Sequence, residues 1–209
     1  SEDIPAEKTV AALFYDTPIA EIFVETIEPN LRLVPASIHL ATAVENLYSI
    51  LFREGKLKNA LPVVRERFDY AILDCGPTLG VLSVNALVAA DRVLIPTRLS
   101  FYSLDGLNAL LNTIALAKPD RTGEFDWRIL LTCVKGYGKE RQAAAWKLLE
   151  PLADRILTAQ IRETEAVEKS QMSEDESSPM AVVLSRQSGN RGAQDYRSLV
   201  KEVQQIWPA

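Results

Sequence analysis

The run Phe68-Asp-Tyr-Ala-Ile-Leu-Asp-Cys-Gly-Pro-Thr-Leu-Gly80 constrains this chain more than any other. An apolar segment ends in a carboxylate, Asp74, and passes at once into a Gly-Pro turn. A short apolar run bounded by turn residues reads as a buried strand, here 69–74. Asp74 then stands at the carboxyl end of that strand, the edge at which open α/β sheets bind ligands. The residue type fits a Walker B aspartate, which helps position magnesium beside a nucleotide phosphate. Such an aspartate works with a Gly-rich phosphate loop, and this sequence contains none.

The 209 residues are enough for one large domain with a real core, and no linker or internal repeat divides them. A net charge of −5 means that any contact with nucleic acid needs a local basic patch rather than the charge of the whole molecule. Cys75 and Cys133 lie far apart, each after an apolar run, and are read as reduced core thiols of a cytoplasmic protein. No apolar run approaches the length of a membrane span, and the acidic start Ser1-Glu-Asp-Ile-Pro5 is unlike a signal peptide.

Short apolar runs alternate with amphipathic stretches, which predicts an α/β fold with a doubly wound, mainly parallel sheet and helices on both faces. Strands are predicted at 31–35, 69–74, 92–96, 128–133 and 156–161. Ser37 reads as the N-cap of a helix over 38–53, whose buried face carries Leu40, Val44, Leu47 and Leu51. Further helices are predicted at 56–66, near 79–90, from Ser103 to about Lys118, at 139–153 and from near Thr164. Pro119 ends the fourth of these six helices. Ser173-Glu-Asp-Glu-Ser-Ser-Pro179 reads as a solvated loop. A last helix, about 193–207, places Tyr196, Leu199, Val200, Val203 and Ile206 on one face. Its other face mixes Asp195, Lys201 and Glu202, so it reads as packing on the sheet rather than anchoring to a membrane.

Several segments together resemble the ParA/Soj family of partition ATPases, in the MinD/ParA superfamily. They are Phe68 to Gly80, Asn85-Ala-Leu-Val-Ala-Ala-Asp-Arg-Val-Leu-Ile-Pro96 and Tyr102-Ser-Leu-Asp-Gly-Leu107. Arg128-Ile-Leu-Leu-Thr132, Ile161-Arg-Glu-Thr164, Asn190-Arg-Gly-Ala-Gln-Asp-Tyr-Arg197 and Lys8-Thr-Val-Ala-Ala-Leu13 extend the resemblance nearly end to end. It implies a P-loop NTPase-like fold with a deviant Walker A loop. It also implies ATP/ADP and Mg as cofactors, an ATP-dependent homodimer and non-specific DNA binding. A ParB-like adaptor or cargo protein is the implied partner, and the implied location is the cytoplasm at the nucleoid. The implied task is positioning or segregation of a plasmid, a chromosome or a large cargo.

The family's phosphate loop, and the acidic motif after its second strand, precede the residues that match Lys8 onward. The sequence is therefore expected to be an N-terminally incomplete single domain, 1–209, of a longer chain. Without the phosphate-loop strand, a gap of roughly 9–10 Å is expected between strands 69–74 and 92–96. By itself the sequence lacks the lysines and the water-orienting carboxylate that hydrolysis needs. The competing reading is a degenerate, non-catalytic relative that binds DNA or a protein partner.

By the resemblance, Asp74 is the catalytic-site carboxylate and holds magnesium through water. Gly76 and Pro77 form a switch loop in the nucleotide site, where many relatives have Pro-Pro. Thr132 ends the strand that leads in relatives to the adenine pocket. Arg162, Arg191 and Arg197 are the candidate DNA-binding residues, with Arg186 and Lys201 able to extend the patch. Glu163, Glu165 and Glu168 weaken it, and Ala166 stands where some relatives have another basic residue. His39 lacks partners at ligand spacing.

Overall fold

The protein was analysed as a computed structural model that describes residues 4–26, 28–99, 101–118, 125–134, 143, 146–164 and 189–209. The chain divides into two compact units, Ser1–Asp91 with Asn112–Gly123 and Arg92–Leu111 with Glu124–Ala209.

The first unit is mostly helical. Its short strands β1 (Val24–Glu25) and β2 (Arg32–Leu33) pair antiparallel, Val24 opposite Leu33. The predicted strand 31–35 is thus two residues long and lies in a hairpin. Helices α1 (His39–Leu47), α2 (Lys56–Ala60), α3 (Pro62–Arg65) and α4 (Val81–Ala89) follow. The long helix predicted over 38–53 ends at Leu47; turns follow, and Phe52 takes the chain through the left-handed region at φ 56° before the 3-10 turn Arg53–Gly55. The helix predicted over 56–66 divides before Pro62, whose ring nitrogen has no proton to donate within a helix.

Ser37 does not cap α1 through its side chain. Its Oγ is buried without a hydrogen-bond partner, and only its carbonyl takes part, accepting from Leu40 N at 3.0 Å. Thr9 does cap: its Oγ1 donates to Ala6 O at 2.8 Å and accepts from Ala11 N at 3.3 Å, opening the 3-10 turns Val10–Tyr15. Ala12 and Leu13 from those turns pack with Ile22, Leu57, Leu61, Val64 and Ala86.

Asn85 joins these elements. It is fully buried; its Oδ1 accepts from Leu57 N at 3.1 Å, and its Nδ2 donates to Arg53 O at 2.9 Å and Val81 O at 3.0 Å. One side chain therefore satisfies the start of α2, the preceding turn and its own helix.

Residues 69–74 form no strand, contrary to the sequence expectation. No ladder among the described residues includes the segment. Only Leu73 packs on the core; its neighbours from Asp69 to Ile72, and Asp74, are exposed, Ile72 at 90%. An apolar sequence favours an extended backbone, but a strand also needs a neighbouring backbone to receive its donors and acceptors.

The second unit holds the parallel sheet, in order β3 (Arg92–Arg98), β4 (Asp126–Val134), β5 (Ile156–Arg162). Register runs from Arg92 opposite Asp126 to Arg98 opposite Thr132. Ile129 and Leu131, at the centre of β4, are fully buried. Helix α5 (Phe101–Ala117) follows β3, longer at its start than predicted. Of the helix predicted over 139–153, residues 146–149 are helical and 3-10 turns continue from Glu150 to Arg155. The predicted helix from Thr164, the loop Ser173–Pro179 and Arg186 lie outside the described residues.

The last helix, α6 (Arg191–Ile206), covers β5. Leu199, Tyr196, Val203 and Ile206 pack against Leu157, Ala159 and Ile161, as its periodicity predicts, whereas Val200 is exposed. Two carboxylates on α6, seven residues or about two turns apart, bind the backbone of β5. Between Ile129 and Leu131 of β4, β5 advances from Ile156 to Gln160, and this irregularity leaves two successive donors for Glu202. Thr158 N donates to its Oε1 at 2.7 Å and Ala159 N to its Oε2 at 2.6 Å. Asp195 accepts from Arg162 N at 3.0 Å and from the Arg162 guanidinium at 2.6 Å. At the far end Trp207 Nε1 donates to Asp126 Oδ2 at 3.0 Å. The other oxygen of Asp126 accepts from Arg128 and Arg155.

Two outcomes are expected. Asn85→Ala leaves buried backbone groups without partners and lowers stability by about 2–4 kcal/mol, read as a lower urea midpoint; an unchanged midpoint would remove Asn85 from this role. Burial opposes ionisation of Asp195, but hydrogen bonds from the Arg162 side chain and backbone, with its charge, hold the carboxyl below the usual carboxylate range. A depressed folded pKa contributes stability above the unfolded value of about 3.9 and loses it as pH falls through the folded value. The stability difference between wild type and Asp195→Asn should be full at pH 6 and shrink below about pH 4. A difference that stays constant down to pH 2.5 would contradict the assignment.

Candidate functional site

Asp74, Gly76 and Pro77 lie in the first unit, in the exposed loop between residues 69–73 and α4. The turn is fastened from below: Ser83 Oγ donates to Thr78 O, and α4 begins after Gly80. The carboxylate of Asp74 is thus presented on the loop that leads into α4, with its side chain in solvent. Cys75 is exposed rather than a core thiol. Partial burial of its sulfur, and then the charge of Asp74, push its thiol above the ordinary range, which makes it a poor nucleophile near neutral pH. A Cβ at Gly76 would meet no atom within 4 Å, so packing within this structure does not require glycine there.

Asp74 fits one role in a magnesium site and no more. Magnesium keeps several waters and takes one or two carboxylates together with substrate phosphates. Among the described residues no group of three or more His, Cys, Asp or Glu is placed to hold a metal by itself. His39 is exposed at the start of α1.

Beside residues 67–72 runs an open groove of about 640 Å³, lined by Phe23, Leu31, Arg32, Phe68, Tyr70 and Ile72 among others. Phe23 and Phe68 meet edge to face with centroids 5.5 Å apart. Arg32 is held by Glu25 at 3.0 Å and by the carbonyls of Pro29 and Leu31.

In the second unit the carboxyl ends of β4 and β5 open into a cleft of about 420 Å³. Val134, Arg162, Glu163, Thr164, Asn190 and Arg191 line it. Glu163 N donates to Val134 O at 3.1 Å, and Asn190 Oδ1 caps α6 by accepting from Ala193 N at 2.8 Å. Thr132 lies on β4 two residues before Val134, half-buried and opposite Arg98. The residue after it, Cys133, has φ 52°. A left-handed cysteine costs about 1 kcal/mol or more, and strain of this kind collects where a strand ends at a ligand edge. Nothing in the residue type announces it, since cysteine is not a residue that favours this region.

The structure brings Arg162 and Arg191 to one cleft and leaves Arg197 further along α6, exposed. The two cleft arginines differ. The Arg162 guanidinium is paired with Asp195, and that hydrogen bond and charge raise its pKa. Arg191 is exposed and has no ion-pair partner among the described residues. Lys201 is exposed on the same helix. Among the described residues no helix is long and apolar enough to cross a membrane.

A family profile for an AAA domain, AAA_31, matches residues 2–125. The sporulation initiation inhibitor protein Soj of Bacillus subtilis is 44% identical over 103 residues, which are 49% of this chain and 41% of that protein. The chromosome partitioning protein ParA of Myxococcus xanthus is 44% identical over 107 residues, 51% of this chain and 38% of that one. The match thus spans about two fifths of the length of these curated relatives. Among solved structures, apo McdA of Cyanothece superposes with a TM-score of 0.81 at 23% identity, over 98% of this chain and 79% of that one. Cobyrinic acid a,c-diamide synthase of Mycobacterium smegmatis gives 0.73 at 26% identity, over 96% and 73%. These likenesses confirm the P-loop NTPase type of α/β fold expected from the sequence. With the profile matching more than half of its residues, the chain belongs to the AAA-domain family, and within it to the ParA/Soj type of the MinD/ParA superfamily.

Proposed function

We propose that this chain is part of a ParA-type ATPase that positions or segregates DNA or a large cargo. The observation that carries the reading is Asp74 on an exposed loop between an apolar segment and the start of α4. A carboxylate so placed can hold a magnesium-bound water from one side without closing the site to phosphate. Bound magnesium would supply neutralisation of phosphate charge. The M. smegmatis synthase, which is 31% identical over the matched region, was solved with ADP and magnesium, and this supports nucleotide and magnesium as ligands of the family.

The remaining roles follow from placement. Gly76 and Pro77 adjoin Asp74 on the same exposed loop and are assigned to the switch loop of the nucleotide site. Thr132 and the cleft beyond β4 suit the base end of a nucleotide, since ligands of open α/β sheets gather at the carboxyl ends of strands. The proposed domain is a single ParA-like one, residues 1–209. Homodimerisation on ATP, a ParB-like adaptor and a nucleoid-associated cytoplasmic location belong to the same proposal. Non-specific DNA contact falls to Arg191 and Arg197, with Arg162 at the same cleft.

Two measurements test it. Magnesium-dependent ATP hydrolysis by the intact gene product should fall on the order of 100-fold in Asp74→Ala, and hydrolysis equal to wild type would overturn the role of Asp74. Arg191→Glu should weaken binding to a non-specific duplex and reduce the salt slope by about one phosphate. Unchanged binding in a low-salt gel shift would remove Arg191 from the DNA surface.

A further inference from the structure

The cleft at the ends of β4 and β5 carries two arginines whose charges are not equally available. Arg162 Nε lies 3.1 and 3.0 Å from the two oxygens of Asp195, and its Nη2 lies 2.6 Å from Oδ1. The Asp195 side chain is only 9% exposed, whereas that of Arg162 is 45% exposed. The carboxylate is therefore fixed from behind, by the Arg162 backbone N–H as well, and the guanidinium faces outward beside it.

A guanidinium presents planar forks of donors that suit carboxylate and phosphate alike. Asp195 occupies the Nε/Nη2 fork, the edge that a backbone phosphate would take. It also cancels the charge that draws a polyanion to the surface. Glu163, on the rim of the same cleft, adds negative charge. Arg191, one residue into α6, has no such partner among the described residues.

We propose that Asp195 is an internal competitor for nucleic-acid phosphate at Arg162, an autoinhibitory contact that keeps the DNA affinity of this surface low. The inference rests on the reading of the chain as a DNA-binding protein and goes beyond it by naming a contact that sets the strength of binding. Removing only the charge of Asp195 exposes Arg162 to phosphate. Asparagine at 195 can still accept from the Arg162 backbone, and Glu202 continues to hold α6 on β5 through Thr158 and Ala159, so the fold is retained.

The test is fluorescence anisotropy of a labelled random-sequence duplex with the intact protein, magnesium and ATP, across a salt series. Asp195→Asn should bind about 3- to 10-fold tighter at low salt and steepen the dependence of log K on log salt by about 0.9, the value for one added phosphate contact. In an Arg162→Gln background the same substitution should give no gain. Binding by Asp195→Asn no tighter than wild type overturns the inference, and so does a gain that persists without Arg162. Binding by Asp195→Asn where wild type shows none supports the inference while removing the native protein from the DNA-binding class. Absence of binding by every variant overturns both.

Discussion

Backbone hydrogen bonding decides which apolar runs of this chain become strands. Each buried amide and carbonyl needs a partner, and leaving one unmet costs about as much as a lost hydrogen bond. Strands β3, β4 and β5 meet the requirement with one another in parallel register. The free donors at the irregularity in β5 are met instead by Glu202, and that at Arg162 by Asp195, so α6 is bonded to the sheet as well as packed on it. Residues 69–74 have the composition of a strand but join no ladder among the described residues, and Ile72 stays in solvent. The same constraint accounts for the formed sheet, for the docking of α6 and for the open position of Asp74.

What the sequence made legible was local. Strand β3 and the apolar face of α6 follow from periodicity, and Pro62 marks where the second helix divides. Pairing is not local, and so the apolar run before Asp74 suggested a strand that did not form. Nor could the sequence show that Trp207 would reach Asp126, or that Asn85 would bridge α4, α2 and the turn before it. Ser37 shows the limit of residue preference: its position and type suit a cap, yet the helix begins later and its hydroxyl is left without a partner.

The site was legible by resemblance more than by pattern. Asp74 stood out as the carboxylate that ends an apolar run, whereas Arg162 and Arg191, which share a cleft, were found from matched segments. The engagement of Arg162 by Asp195 was not legible, since the two lie 33 residues apart in sequence. Counting basic residues therefore overstates the positive charge of this surface. The strained Cys133 at the end of β4 was likewise silent in the sequence.

Membership of the ParA/Soj type makes nucleotide binding the central functional claim. Calorimetric titration of the intact protein with ATP and ADP, with and without magnesium, tests it most directly. The account predicts saturable binding of one nucleotide per chain that weakens when magnesium is chelated. Clean absence of heat with both nucleotides, in protein shown to be folded, would contradict it and favour a scaffold that binds partners without nucleotide.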